Sequence, residues 1–278
     1  MVIDLPQQLI QATVQLEQPL GNGTRTVGTG FLISAPGPDG KPRVVLITAN
    51  HVFDKMPGAM AHIGYRIANK DGSWTYAPQN LRIRDAAGHE LWTHHPSRDV
   101  AAIAITAPAD FAKAAIPEDY LASDDTFTKF QVGAGDEMMA LGFPRGLSAN
   151  QAGFPILRAG RVASYPIAPA TIFPTFLLDF SVFPGNSGGP VFMSQEARRR
   201  PGQQEAAQDV EFIAGLLTQE VELNSERLEI GIVTQAKYIR ETIDRVSDPA
   251  APVTAVAMTE ASTSGARAAS AEEAVAPD

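Results

Sequence analysis

The chain has 278 residues, room for one large domain or two small ones, and its 44% hydrophobic share is that of a globular protein with a real core. The absence of cysteine excludes a disulfide framework, a thiolate zinc site and a cysteine nucleophile, and a formal charge of −9 argues against nucleic acid as a partner. No run reaches the ~18 consecutive apolar residues of a membrane span, and the first basic residue is Arg25, so a cytoplasmic protein with no signal peptide and no membrane partner is expected.

Short apolar runs separated by Gly and Pro turns then follow one another. Residues 12–16 alternate, Gly21-Asn22-Gly23 marks a turn, and 29–34 forms the next run. Residues 44–47 and 100–105 are continuously apolar, as buried strands are. Runs at 138–141, 175–180, 191–193, 212–217 and 230–233 complete the series, which predicts an all-β sandwich or barrel. Arg198-Arg199-Arg200-Pro201-Gly202 is expected to be a solvated hairpin loop between Met193 and Phe212. One helix is expected where Tyr238, Ile239, Thr242, Ile243 and Val246 recur at three- and four-residue spacing. From Ser247 the composition shifts to Ala, Ser and Thr, with no aromatic residue and five acids against Arg267. Too little there can be buried to offset ordering entropy, so 1–246 is expected to be the domain and 247–278 a disordered tail.

The chemistry concentrates in Pro184-Gly185-Asn186-Ser187-Gly188-Gly189-Pro190. Glycines beside a serine allow close approach of a substrate, and the amides of a tight turn can converge on a developing oxyanion. The same letters suit a plain β-turn, and they also satisfy the G-x-S-x-G elbow of α/β-hydrolases. Histidine order removes the elbow: His51, His62, His89, His94 and His95 all precede Ser187, whereas that fold needs its histidine last. Among the five, His51 stands at the exit of a buried strand, where a rigid element can aim a general base. His89-Glu90-Leu91-Trp92-Thr93-His94 is one residue too long for H-E-x-x-H, so no metal site is expected. Asp99 opens an apolar run, and a carboxylate at the edge of a core requires a partner that an imidazole can supply.

Thr48-Ala49-Asn50-His51-Val52, Asp99-Val100-Ala101 and Gly185-Asn186-Ser187-Gly188-Gly189-Pro190 together resemble the three signature blocks of chymotrypsin-like serine peptidases. Gly28-Thr29-Gly30-Phe31, Leu141-Gly142-Phe143-Pro144-Arg145-Gly146 and Gly231-Ile232-Val233-Thr234-Gln235 are similar to further family segments, those of bacterial high-temperature-requirement (HtrA-like) peptidase domains above all. The resemblance implies two six-stranded antiparallel β-barrels with a C-terminal helix, protein or peptide substrates and no cofactor. It implies Ser187 as nucleophile, His51 as base, Asp99 as its orienting acid, and an oxyanion hole at Gly185, Asn186 and Ser187. Asn186 replaces the Asp that pairs with a new amino terminus in digestive members, so that activation route is not expected, nor is a second, peptide-binding domain. By family position Ser181, Thr218, Glu220 and Gly231 bind substrate: a neutral base and an open wall imply preference for a medium or large apolar side chain. A non-catalytic binding or scaffold protein on the same fold is the alternative.

Overall fold

In the computed structural model, which describes residues 4–21, 23–198, 208–223, 226–246, 253–254 and 256–257, the apolar runs become strands of two sheets. The chain opens with α1 (Leu5–Ala12), whose first turn is capped by Asp4 accepting from the Gln7 amide at 3.0 Å. Antiparallel β1 (Thr13–Pro19), β2 (Arg25–Pro36) and β3 (Pro42–Thr48) follow, then α2 (Asn50–Asp54). β4 (Met60–Ala68) and β5 (Trp74–Arg82) form a hairpin against β1. The short β6 (Thr93–His94) pairs with β7 (Ala101–Thr106), which lies along β3. The first sheet therefore runs β7-β3-β2-β1-β4-β5.

Two short helices, α3 (Ala109–Ala114) and α4 (Asp124–Lys129), flank β8 (Ile116–Pro117), which pairs with β2. The second sheet closes on itself: β9 (Glu137–Gly142), β10 (Ile156–Val162), β11 (Thr175–Asp179), β12 (Pro190–Arg198), β13 (Gln208–Leu223) and β14 (Glu226–Gln235) form a barrel in the order β10-β11-β14-β13-β12-β9. Closure removes exposed strand edges and leaves one face of each strand for the core. Phe176, Leu178, Val191, Phe192, Phe212 and Leu216 fill that core, each burial contributing about 1.5–3 kcal/mol. The expected helix is α5 (Ala236–Ile243), which buries Tyr238, Ile239, Thr242 and Ile243 and packs on both β7 and β13. No described helix is long and apolar enough to cross a membrane.

One expectation changes, at Arg198, and four residues near the end of the chain add to the first sheet. Within the stretch expected to be disordered, β15 (Val253–Thr254) pairs with β7 and β16 (Val256–Ala257) pairs with β5, so these residues bridge the two ends of the first sheet. Unpaired strand edges favour such additions, and Val and Thr suit them. The rest of 247–278 lies outside the described residues. Arg198, expected in a solvated loop, is 8% exposed at the end of β12 and pairs with Asp136 at 2.7 Å, while donating to the Phe130 carbonyl at 3.1 Å. Residues 199–207, the rest of that loop, lie outside the described residues.

β4 buries a second arginine. Arg66 is 2% exposed and donates to the carbonyls of Ile10 (3.2 Å), Gln11 (2.7 Å), Thr13 (2.9 Å) and Gly153 (3.0 Å). Its guanidinium stands over the rings of Phe111 and Phe154 at 5.1 and 4.8 Å. Burial pulls its pKa down to about 10, so it remains charged at neutral pH with carbonyl dipoles in place of water.

Candidate active site

β3 and β7 are hydrogen-bonded neighbours with Thr48 opposite Ala101, so residues just beyond those ends meet. One is His51, in the first turn of α2; the other is Asp99, two residues before β7. Asp99 Oδ1 accepts the His51 amide at 2.9 Å and Oδ2 lies 2.6 Å from His51 Nδ1. Burial pushes the Asp99 carboxyl up, but the ring hydrogen bond and charge of His51 and the amides of His51 and Asn50 outweigh it and hold the carboxyl below its ordinary range. An ionised carboxylate only accepts, which places the proton on Nδ1 and leaves Nε2 as a base. Asn50 steadies α2, its side chain donating to Asp54 (2.7 Å) and accepting from the Trp92 indole (2.9 Å).

The other four histidines are engaged elsewhere. His62 faces Glu17 at 3.8 Å, His89 faces Asp85 at 3.0 Å and His95 faces Glu241 at 3.0 Å, while His94 Nδ1 lies 3.4 Å from the His95 carbonyl.

Ser187 lies in the turn that enters β12, and each carbonyl around it is anchored. The Arg145 amide donates to Pro184 O (2.6 Å), Thr29 Oγ1 to Gly185 O (2.6 Å), the Gly189 amide to Asn186 O (3.0 Å) and the Thr29 amide to Ser187 O (2.9 Å). In a trans peptide the N–H points opposite to the carbonyl, so every anchor also aims the next amide. The Asn186 amide reaches Phe183 O (3.0 Å) and the Gly188 amide reaches Leu217 O (2.7 Å). The remaining amides, of Gly185 and Ser187, donate to no acceptor among the described residues. Of the three residues expected to form an oxyanion hole, Asn186 thus has its amide engaged. Its buried carboxamide has no hydrogen-bond partner among the described residues.

Two glycines are dictated by this packing. Gly185 has φ +98°, and a Cβ there would lie 2.3 Å from the Phe143 carbonyl. Gly188 has φ +87°, and its Cβ would meet Thr29 O at 2.1 Å, Thr48 Oγ1 at 2.3 Å and the Ala49 amide at 2.9 Å. The nucleophile turn therefore abuts the strand exit that carries His51. The Ser187 hydroxyl itself donates to the Thr218 carbonyl at 3.4 Å rather than to the His51 ring.

The four substrate-binding candidates have unequal surroundings, and among them Thr218 touches this turn. Ser181 is half-buried. Thr218 presents its carbonyl to Ser187, while its buried hydroxyl donates to Ile232 O at 3.3 Å. Glu220 pairs through its backbone with Gly231, and its side chain lies outside what is described. At Gly231 a Cβ would lie 2.9 Å from Val182, 3.2 Å from Leu217 and 3.3 Å from Phe180, so the position is packed by apolar side chains. Val182, Thr29 and Arg145 (φ 52°, left-handed) were not singled out as site residues from the sequence. The Gly28-Thr29-Gly30 pattern was the available signal for Thr29.

A closed six-stranded barrel, a second sheet carrying a histidine–carboxylate pair, and a serine in an anchored glycine turn between them define a trypsin-like serine endopeptidase architecture. The chain belongs to the trypsin-like peptidase domain family, whose model matches residues 28–198. Among solved structures it resembles a variant of the HtrA-type protease AlgW with tripeptide, at 17% identity and a TM-score of 0.52, over 87% of this chain and 62% of that one. It also resembles the protease Anisep from Arthrobacter nicotinovorans, at 15% identity and a TM-score of 0.50, over 86% of this chain and 96% of that one. At such identities the likeness concerns the fold. No curated protein matches the chain.

Proposed function

We propose that the chain hydrolyses peptide bonds in proteins or peptides through Ser187, His51 and Asp99. The observation that carries this reading is the turn around Ser187, where the carbonyls of residues 184–187 are each anchored while the Gly185 and Ser187 amides have no acceptor among the described residues. In the reaction, rotation about the Ser187 side chain turns its hydroxyl from Thr218 O to His51 Nε2, a tightening common on substrate binding. Ser187 Oγ attacks the scissile carbonyl as Nε2 takes its proton, and the two amides receive the oxyanion. Collapse breaks the C–N bond, with the proton passing from Nε2 to the leaving amine. Water, deprotonated by the same nitrogen, then hydrolyses the acyl-enzyme. Asp99 stays ionised throughout and stabilises the imidazolium.

For the side chain before the scissile bond, the reading is a neutral apolar group. Ser181 offers no charge for Lys or Arg, and a buried unpaired cation is excluded by several kcal/mol, about 2 or more. With Val182 and Leu217 against Gly231, the group accepted is small or medium.

The test is labelling by a serine-directed fluorophosphonate alongside cleavage of a peptide library. Wild type should label and cleave, and Ser187→Ala should do neither while keeping its fold. A correctly folded wild type that neither labels nor cleaves would overturn the reading in favour of a non-catalytic binding module.

A further inference from the structure

We propose that Thr29 is a positioning residue that sets the oxyanion-binding conformation of residues 185–187, an inference that rests on the peptidase reading above. Of the four carbonyl anchors, those from Arg145 and Gly189 belong to the second barrel and the turn itself. The two others, at Gly185 O and Ser187 O, come from one residue of β2 in the first sheet. Thr29 therefore grips the peptides that follow Gly185 and Ser187, on either side of the peptide that carries the Ser187 amide and next to the one that carries the Gly185 amide.

The direction of the side-chain bond is settled by its surroundings. The Phe143 amide donates to Thr29 Oγ1 at 3.1 Å, so the single hydroxyl proton is directed to Gly185 O at 2.6 Å. Thr29 is fully buried, so bulk water cannot take over that donation, and its β-branch restricts χ1. Its own carbonyl accepts from Thr48 Oγ1 at 2.7 Å, three residues before His51. One residue thus joins the nucleophile turn, the loop after β9 and the strand that delivers the base. Without the hydroxyl, the peptide joining Gly185 to Asn186, which lies between the two peptides that carry the Gly185 and Ser187 amides, loses its anchor beside a glycine able to adopt many backbone angles, and the two oxyanion amides are no longer fixed relative to each other.

The experiment compares Thr29→Val, which keeps the shape and removes the hydroxyl, with Thr29→Ser, which keeps the hydroxyl. Turnover is expressed per active site, titrated to completion with fluorophosphonate, so that misfolded protein does not count. Thr29→Val is expected to lower kcat by about 10²-fold with KM within about threefold of wild type, and to weaken a peptide aldehyde, which mimics the tetrahedral adduct, in step with kcat/KM. Thr29→Ser is expected to stay within about threefold of wild type, because it restores the donated hydrogen bond. A residue that only supports the fold would change melting temperature and titratable sites, leaving kcat per site unmoved. Should Thr29→Val not fold, Thr29→Ala and Thr29→Ser read the same quantities and decide the point. A valine or alanine variant with wild-type kcat per site overturns the role of Thr29, as does a serine variant that falls as far as valine. Wild type that neither labels nor cleaves is a distinct result, which removes the peptidase reading and the Thr29 role together.

Discussion

Replacing Asp99 by asparagine tests the base assignment most directly, because the two acceptor bonds at that carboxylate respond differently. The introduced carboxamide can keep its oxygen on the His51 amide, which lies 2.9 Å from Oδ1 in the native chain. Its NH₂ then occupies the place of Oδ2, 2.6 Å from Nδ1, and offers a donor where an acceptor stood. The imidazole answers by carrying its proton on Nε2, which can no longer take the Ser187 proton. Turnover should fall by about 10⁴-fold, which is about 5.4 kcal/mol in the barrier. The assay is kcat/KM on the best peptide of a library, with stability followed by thermal melting. The Asp99 carboxyl is held below its ordinary range, so the stability it contributes is complete above the unfolded carboxyl's pKa, near 3.8, and is lost as pH falls through the lower folded value. The stability difference between wild type and Asp99→Asn should shrink in that acid window. A variant retaining more than a tenth of wild-type turnover at neutral pH would refute the reasoning.

Three further outcomes are expected. Gly188→Ala forces a left-handed alanine against the Thr29 carbonyl, so stability should drop by about 2–5 kcal/mol, and a melting temperature within 1 °C or so of wild type would contradict the packing described. Ser181→Asp should shift library cleavage toward Lys and Arg, and Val182→Ala toward larger apolar side chains; unaltered profiles would remove both residues from the pocket. Ending the chain at Val246 deletes the strands that bridge β7 and β5, so the melting temperature should fall by about 2–5 °C with kcat unchanged, whereas an identical melting curve would show that β15 and β16 contribute nothing to stability.

Strands that bury both faces were legible, and the continuously apolar runs at 44–47 and 100–105 are β3 and β7. β4 and β5 were not, for reasons visible in their residues. Arg66 faces the interior of β4 because backbone carbonyls, invisible in a hydrophobic pattern, solvate it. Pro78 sits within β5, where a proline usually argues against a strand, and it is tolerated opposite Gly64. At the site, residue type and order pointed to His51, Asp99 and Ser187 as candidates, since such chemistry requires a base, an acid and a hydroxyl on rigid elements. The roles of individual amides were not legible. Asn186 and Ser187 are neighbours with identical backbone chemistry, and only the direction of each anchored carbonyl separates an engaged amide from one with no acceptor among the described residues. Likewise the neighbours of Gly231, which are Val182, Leu217 and Phe180, come from other strands and loops and were not legible from the glycine itself.

The buried Arg66 also bears on how the two sheets stay together. Its guanidinium fastens the end of α1 and the start of β1 to Gly153, in the loop before β10, so a fork of four bonds links chain segments more than 130 residues apart across the two sheets. α5, packed on both β7 and β13, is a second tie between the two sheets. Separating the two sheets would strip a dehydrated cation of its carbonyls at one place and expose a helix face at another, so both contacts oppose such an opening.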